Sequence, residues 1–191
     1  MKIAVCIKQV PDPEKFSAGS FEKDWRLSRD SYPKTTNPVD KNALELALQL
    51  AGQDPVEVIT VGPEGAKEAL REMLSIGASS AVHVKDPALE GADLLSTTIA
   101  LSAAIKKRGP FDVIICGKQS TDAEMPPFLP CLQRCLGCLH PQDVRRSNSW
   151  MENFLLTSQA TLGWWSGKLS FHVFYLLQKT STRQDSHHLG E

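Results

Sequence analysis

Two turns and one cysteine cluster hold the side chains whose types and spacing could do chemistry. Gly117-Lys118-Gln119-Ser120-Thr121-Asp122 places a permissive glycine, a cation, two hydroxyls and an acid directly after the apolar run Phe111 to Cys116. Backbone amides and hydroxyls in that order suit contacts to a phosphate. Ser120, Thr121 and Asp122 would equally serve to cap a following helix. The other turn, Lys8 to Pro11, closes the first apolar run, and a lysine there is more often a solvated end residue than a ligand. The cluster Cys131-x3-Cys135-x2-Cys138 with His140 puts soft ligands within reach of one zinc ion or an iron–sulfur cluster.

Other constellations are missing. No G-x-G-x-x-G follows the first strand and no G-x-x-x-x-G-K-[ST] occurs, which disfavours a hydride-transfer dehydrogenase and a P-loop ATPase. His83 lies in an apolar run without a Ser or Cys partner and reads as a packed or edge histidine, so any chemistry belongs to a cofactor. The cysteine spacing resembles the cluster motif of radical S-adenosylmethionine enzymes, but too little chain follows it for their barrel. Three reduced thiols gathered by accident are the plainer reading, and a cytosolic redox setting opposes a disulfide framework. No metal ligands are assigned.

At 191 residues and 21.0 kDa the chain suits one α/β domain. With 41% hydrophobic and 23% charged residues it reads as globular, with no apolar run for a bilayer and no leader, hence cytoplasmic. A net charge of -1 gives no basic footprint for nucleic acid. Character changes near residue 125: up to Glu124 there are 15 Lys+Arg and 18 Asp+Glu, whereas the remainder carries 6 and 4, with three of the four Trp and four of the five His.

The elements that must position the turns follow from apolar spacing. Ile3 to Val10 is a nearly continuous apolar run, as in a strand buried on both faces, and Asp12 to Thr36 is an excursion loop in which Phe21, Trp25 and Leu27 could form a short hairpin. Asn37-Pro38-Val39-Asp40 starts a helix, with Asn37 as cap, Pro38 at the first helical position and Asp40 completing a reciprocal capping pair. Gly52 ends it before a second strand, Val56 to Val61. A second helix from near Glu64 ends at Gly77, and a third strand spans Ala81 to Val84. A third helix after Asp93 turns Leu94, Leu95, Thr98, Ile99, Ser102 and Ile105 inward, before the fourth strand, Phe111 to Cys116. Alternating strands and helices predict an α/β fold with an open parallel sheet, whose ligand would sit outside the carboxyl ends of the strands where the winding reverses; if strands one and four are neighbours, the turns Lys8 to Pro11 and Gly117 to Glu124 face each other there. Phe171 to Leu177 is a further strand-like segment of low charge.

Met1 to Asp12, the Asn37-Pro38-x-Asp40 helix start, Gly62-Pro63 to Ala69-Leu70, Gly77-Ala78, Gly91-Ala92-Asp93 and Gly117 to Asp122 together resemble the electron transfer flavoprotein beta subunit family. The resemblance implies an adenine-nucleotide-binding sheet of order 3-2-1-4-5. It implies an electron carrier rather than an enzyme, working as a heterodimer with an alpha subunit that holds most of the redox-active FAD. The beta-subunit pocket would hold AMP or a second FAD. It would use Cys6 and Lys8 at the first strand end, Asn37, Pro38, Val39 and Asp40 at the helix start, Val61 near the second strand end, and Gly117, Lys118, Gln119, Ser120, Thr121 and Asp122 around the phosphates.

The resemblance covers residues 1–129. Ala123-Glu124 runs directly into Met125-Pro126-Pro127-Phe128-Leu129, about three residues short of the family pattern, and residues 130–191 diverge. The family's fifth strand, its loop for partner dehydrogenases and its C-terminal arm are not recognisable there. The genetic code allows codons for Pro130 to Leu139 that, read one base back, encode Leu-Pro-Ala-Glu-Val-Leu-Arg-Leu-Pro, similar to the family's helix, so the tail reads as truncated or frame-altered. The function expected is a carrier taking electrons from flavin dehydrogenases to a quinone reductase or other acceptor, an activity that loss of the tail would abolish. Two alternatives stand beside it: a stand-alone adenine-nucleotide module similar to universal stress proteins, and a zinc-stabilised interaction protein built on Cys131, Cys135, Cys138 and His140.

Overall fold

The computed structural model describes residues 1–15, 32–117, 119–122, 128–137 and 173–177. In chain order its elements are β1 (Ile3–Cys6), β2 (Gln9–Pro11), β3 (Lys34–Thr36), α1 (Pro38–Ala51), β4 (Val56–Val61), α2 (Lys67–Ile76), β5 (Ser80–Val84), α3 (Leu94–Arg108), β6 (Val113–Gly117), α4 (Phe128–Leu136) and β7 (Val173–Leu177).

Strands β5, β4, β1 and β6 lie side by side in that order and run parallel, joined by the crossover helices. Alternate residues of each strand serve opposite layers. Ile3, Val5, Val58, Val113 and Ile115 pack against Ala43, Leu44, Ala47, Leu70 and Met73 on one face. Ala4, Cys6, Ile59, Ile114 and Cys116 pack against Leu101, Ile105, Leu132 and Leu136 on the other. Both faces are covered, which is why the strands read as unbroken apolar runs rather than as alternation.

Numbering the main-sheet strands as they occur gives the expected order 3-2-1-4-5, with the fifth place filled from the divergent segment. Strand β7 pairs antiparallel with β6, Cys116 opposite Phe174 and Ile115 opposite Tyr175. The strand-like segment near residue 171 thus supplies the edge strand.

Three expectations change. The first apolar run does not stay in one sheet: β1 stops at Cys6, and Gln9–Pro11 turns away to pair antiparallel with Lys34–Thr36 as a ribbon at the base of the excursion loop. Residues 16–31, where the hairpin was expected, lie outside the described residues. Asn37 forms no side-chain cap, and the reciprocal capping pair with Asp40 is absent, because both side chains are engaged across the sheet's mouth. Leu95 and Ile99 each remain 53% exposed, while Thr98, Leu101, Ser102 and Ile105 face inward. Helix α3 is apolar on several sides, so spacing alone does not single out the side that meets the sheet.

Candidate functional site

The carboxyl ends of β1 and β6 are adjacent, with Cys6 in register with Cys116, so the chain leaves both strands at one mouth where the winding direction reverses. Helix α1 begins at the same place. The backbone of Lys8 is bonded both ways to the first turn of that helix: its N–H donates to Asp40 Oδ2 at 2.8 Å and its carbonyl accepts from Asn37 N–H at 2.9 Å.

Asn37 is almost wholly buried. Its side-chain Nδ2 reaches over to donate to the Gln119 carbonyl at 2.9 Å, tying helix start to the turn after β6. Its Oδ1 is buried without a donor among the described residues. A buried amide oxygen left unbonded costs on the order of 1–3 kcal/mol.

Asp40 is also buried, at 5% exposure. Burial pushes its carboxyl up to about 7; the Lys8 N–H, the Asn37 side chain, the Lys8 ammonium and the Gly117 N–H pull in the opposite direction. Gly117 lies so close that a Cβ there would stand 2.2 Å from Asp40 Oδ1 and 3.2 Å from Val39 Cγ1. Glycine at the end of β6 is therefore a close-approach requirement.

On the other side of the mouth Lys8 Nζ donates to both Asp122 oxygens, at 2.7 and 2.9 Å, and to Ser120 Oγ at 3.2 Å. Lys8 is 43% exposed at its side chain while Asp122 is 2% exposed. The bare spacing suggested a solvated lysine and a capping acid; fold topology turns them into an ion pair. Only topology could reveal this, since 114 positions separate the two.

Of the expected residues, Lys8, Asn37, Asp40, Gly117, Gln119, Ser120 and Asp122 converge here. Pro38 is exposed at the first helical position, Val39 backs Gly117, and Thr121 is exposed in the turn. Cys6 is buried in the core layer beneath the mouth, and Val61 ends β4 on the far side of β1. Lys118 lies outside the described residues. A further network escaped the sequence: Glu72 of α2 accepts from Thr36 Oγ1 and from Lys41 Nζ, each at 2.5 Å, bracing the start of α1 from behind.

The arrangement presents one cation, hydroxyls and an acceptor in want of a donor, with no nucleophile–base pair among the described residues. Such groups can make hydrogen bonds and charge contacts to a polar ligand. Cys131 and Cys135 stand one turn apart on α4, half-buried; Cys138 and His140 lie outside the described residues.

The family model for the electron transfer flavoprotein domain matches residues 24–137. The chain is 39% identical over 143 residues to an electron transfer flavoprotein subunit beta of Megasphaera elsdenii, covering 69% of this chain and 52% of that protein. It is 40% identical over 127 residues to the caffeyl-CoA reductase–Etf complex subunit CarD of Acetobacterium woodii, covering 65% and 48%. To the protein FixA of Azorhizobium caulinodans it is 38% identical over 145 residues, covering 73% and 51%. The chain spans about half the length of the curated relatives it matches.

Proposed function

This chain belongs to the electron transfer flavoprotein family, as a relative of its beta subunits, and we propose that it is a carrier subunit that binds an adenine nucleotide at the mouth between β1 and β6. The nucleotide is AMP or FAD. Its partner is an FAD-binding alpha subunit, and the pair takes electrons from flavin dehydrogenases and passes them to a quinone reductase or other acceptor in the cytoplasm. The name of the CarD relative, which sets it in a complex with a reductase, supports a partner of that class. Among the described residues no helix is long and apolar enough to cross a membrane.

The observation that carries the reading is Asn37 Oδ1, a buried acceptor at the sheet's mouth without a donor among the described residues. A ribose hydroxyl or an adenine amine supplies the missing donor. Lys8 and Ser120, which meet at the mouth, and Thr121 in the same turn are the groups that in this reading contact phosphate oxygens, and Cys6 contributes core packing rather than thiolate chemistry. When bound, a flavin supplies the redox step by taking up and releasing electrons; this chain's part is to hold and orient the nucleotide.

Co-expression with an alpha subunit tests the assignment. A yellow complex that contains stoichiometric flavin and adenine nucleotide and reduces a dye in the presence of a flavin dehydrogenase is expected. A colourless chain that binds ATP alone would favour the stand-alone nucleotide module, and stoichiometric zinc would favour the interaction protein. The segment 130–191 we hold to be a divergent, frame-altered continuation of the family domain, which the nucleotide sequence decides.

A further inference from the structure

We propose that Cys6 and Cys116 are a redox-sensitive dithiol, a modification site at which a hydroperoxide forms a reversible disulfide between neighbouring strands, and that this bond deforms the mouth next to it. The pairing stands on the fold alone; its consequence for a ligand rests on the nucleotide reading.

The two cysteines face each other in register on the last rung that joins β1 to β6, and neither is in a disulfide. Both side chains lie in the layer that also holds Ile59, Leu101 and Leu132, so the two sulfurs project to one side of the sheet. Adjacent strands stand about 4.8 Å apart, within the span of about 4.4–6.8 Å between Cα atoms that a disulfide bridges. Facing Cβ atoms stand about as far apart as the strands, whereas a disulfide brings them to about 3.8 Å, so the bond draws the two strand ends together. A bond made under such tension is labile, and a transient bond is what reducing surroundings sustain.

Position in the sheet makes this pair responsive. Ile3 to Val5 and Val113 to Ile115 are held in the rungs below, while beyond Cys6 the chain turns away toward β2 and beyond Cys116 only Gly117 remains of β6. Cys6 is 6% exposed and Cys116 1%, so a peroxide entering from the mouth meets Cys6 first. The Cys6 sulfur takes one oxygen of hydrogen peroxide and the other leaves as water, giving a sulfenic acid. The Cys116 sulfur then attacks that sulfur; the S–O bond breaks, the S–S bond forms, and the oxygen departs with the Cys116 proton as a second water. In sum the two thiols give up two electrons and one peroxide is reduced to two waters.

Gly117 follows Cys116 directly and has no slack on its α1 side, since even a Cβ there would stand 2.2 Å from Asp40 Oδ1. Asp40 in turn holds the Lys8 N–H at 2.8 Å, two residues beyond Cys6. Drawing Cys116 toward Cys6 therefore displaces Gly117, Asp40 and Lys8 together, because close-packed neighbours transmit strain. Toward the nucleotide Cys6 remains a packing residue; its thiol chemistry is directed at Cys116.

Peptide mapping of the full chain tests the pairing. Trypsin releases Cys6 in residues 3–8 and Cys116 in residues 109–118, each the single cysteine of its peptide. After treatment with hydrogen peroxide and alkylation of the remaining thiols, these two peptides are expected joined, two hydrogens lighter than the reduced pair and separated by dithiothreitol. The same link is expected when Cys131, Cys135 and Cys138 are all replaced by Ser, and is lost in Cys6→Ser. Oxidation confined to Cys131, Cys135 and Cys138, or Cys6 and Cys116 recovered unlinked, overturns the proposal, and the wild-type map decides this even where a variant does not fold. In a second arm, calorimetry on the linked protein is expected to show AMP affinity weakened by about fivefold or more and restored by dithiothreitol. Linked protein that binds AMP as tightly as the reduced form overturns the effect on the mouth. A reduced chain that binds neither AMP nor FAD sinks the nucleotide reading instead; the effect on the mouth is then decided by hydrogen exchange at the Lys8 and Gly117 amides, expected to be faster in the linked protein and overturned by equal rates.

Discussion

Lys8 Nζ and the Asp122 carboxylate meet at 2.7 Å across the mouth of the sheet, the lysine part-exposed and the acid buried. The asymmetry sets what each loss does. Lys8→Met takes the Lys8 ammonium away from a buried carboxylate, which costs about 1–3 kcal/mol after allowance for the solvent around Lys8. It also removes the cation placed for the phosphate. Calorimetry is expected to show a lower Tm together with a loss of AMP affinity of about tenfold or more, and adenosine affinity reduced far less. Equal losses for AMP and adenosine would show that Lys8 does not meet the phosphate.

Gly117→Ala is expected to be among the most damaging single-methyl additions in the chain. The new Cβ would stand 2.2 Å from Asp40 Oδ1 and 3.2 Å from Val39 Cγ1, so either the end of β6 or the first turn of α1 must move. Overpacking of this kind costs about 1–3 kcal/mol. Pairing it with Asp40→Ala removes the nearest clashing atom, Asp40 Oδ1, so the double variant should be more stable than the sum of the two single losses predicts in urea unfolding. Strict additivity would mean that the two positions do not press on each other.

Legibility in the sequence tracks where local chemistry decides structure. Strand β4 and the ends of α1 and α2 were readable because Gly52 and Gly77, at φ 60 and 139, mark conformations that few other residues adopt. The parallel sheet followed from runs buried on both faces, whereas its strand order came only with the family resemblance. Asn37 and Asp40 misled as a capping pair, because their side chains answer to Gln119 and Lys8 in other elements. Leu95 and Ile99 misled because α3 carries apolar residues beyond the face that the sheet covers. The pairing of Lys8 with Asp122 and the brace of Glu72 with Thr36 exist only once distant segments are folded together.

The exposure of Leu95 and Ile99 makes a direct contrast with their helix neighbours. Leu95→Gln and Ile99→Gln should each change stability by less than about 0.5 kcal/mol, as surface substitutions do. Ile105→Ala, fully buried between α3 and the sheet, should cost about 2–5 kcal/mol. Chemical denaturation of the three variants checks this, and a large loss at Leu95 or Ile99 would place that side chain in a packed interface.

Stability at the opposite end of the sheet should be separable from binding. Glu57 of β4 is buried at 3% exposure, with Arg108 Nε at 2.6 Å and Lys2 Nζ at 3.8 Å. Arg108→Ala strands most of that buried charge and should lower stability by about 1–3 kcal/mol, part of the loss being offset by Lys2. The pair lies beside the amino-terminal ends of the strands, where Ala4 is in register with Glu57, away from the mouth. AMP affinity should therefore stay within about twofold of wild type, and a large change in affinity would mean that this end of the sheet is coupled to the site.

Asp40 sets a pH dependence whose sign is opposite to that of an ordinary paired acid. Its folded carboxyl is raised from 3.8 to about 7, so between those values the folded chain holds a proton that the unfolded chain has released. The stabilisation this gives is complete below pH 3.8 and is lost as pH rises through about 7, with a slope of at most about 1.4 kcal/mol per pH unit. Asp40→Asn cannot titrate, and other carboxylates cancel when the two proteins are compared at each pH. The stability of wild type minus that of Asp40→Asn is thus expected to decline from pH 5 to pH 8 in urea titrations. A difference that is flat, or that grows with pH, would mean that the Lys8 amide and ammonium outweigh burial and hold Asp40 ionised throughout.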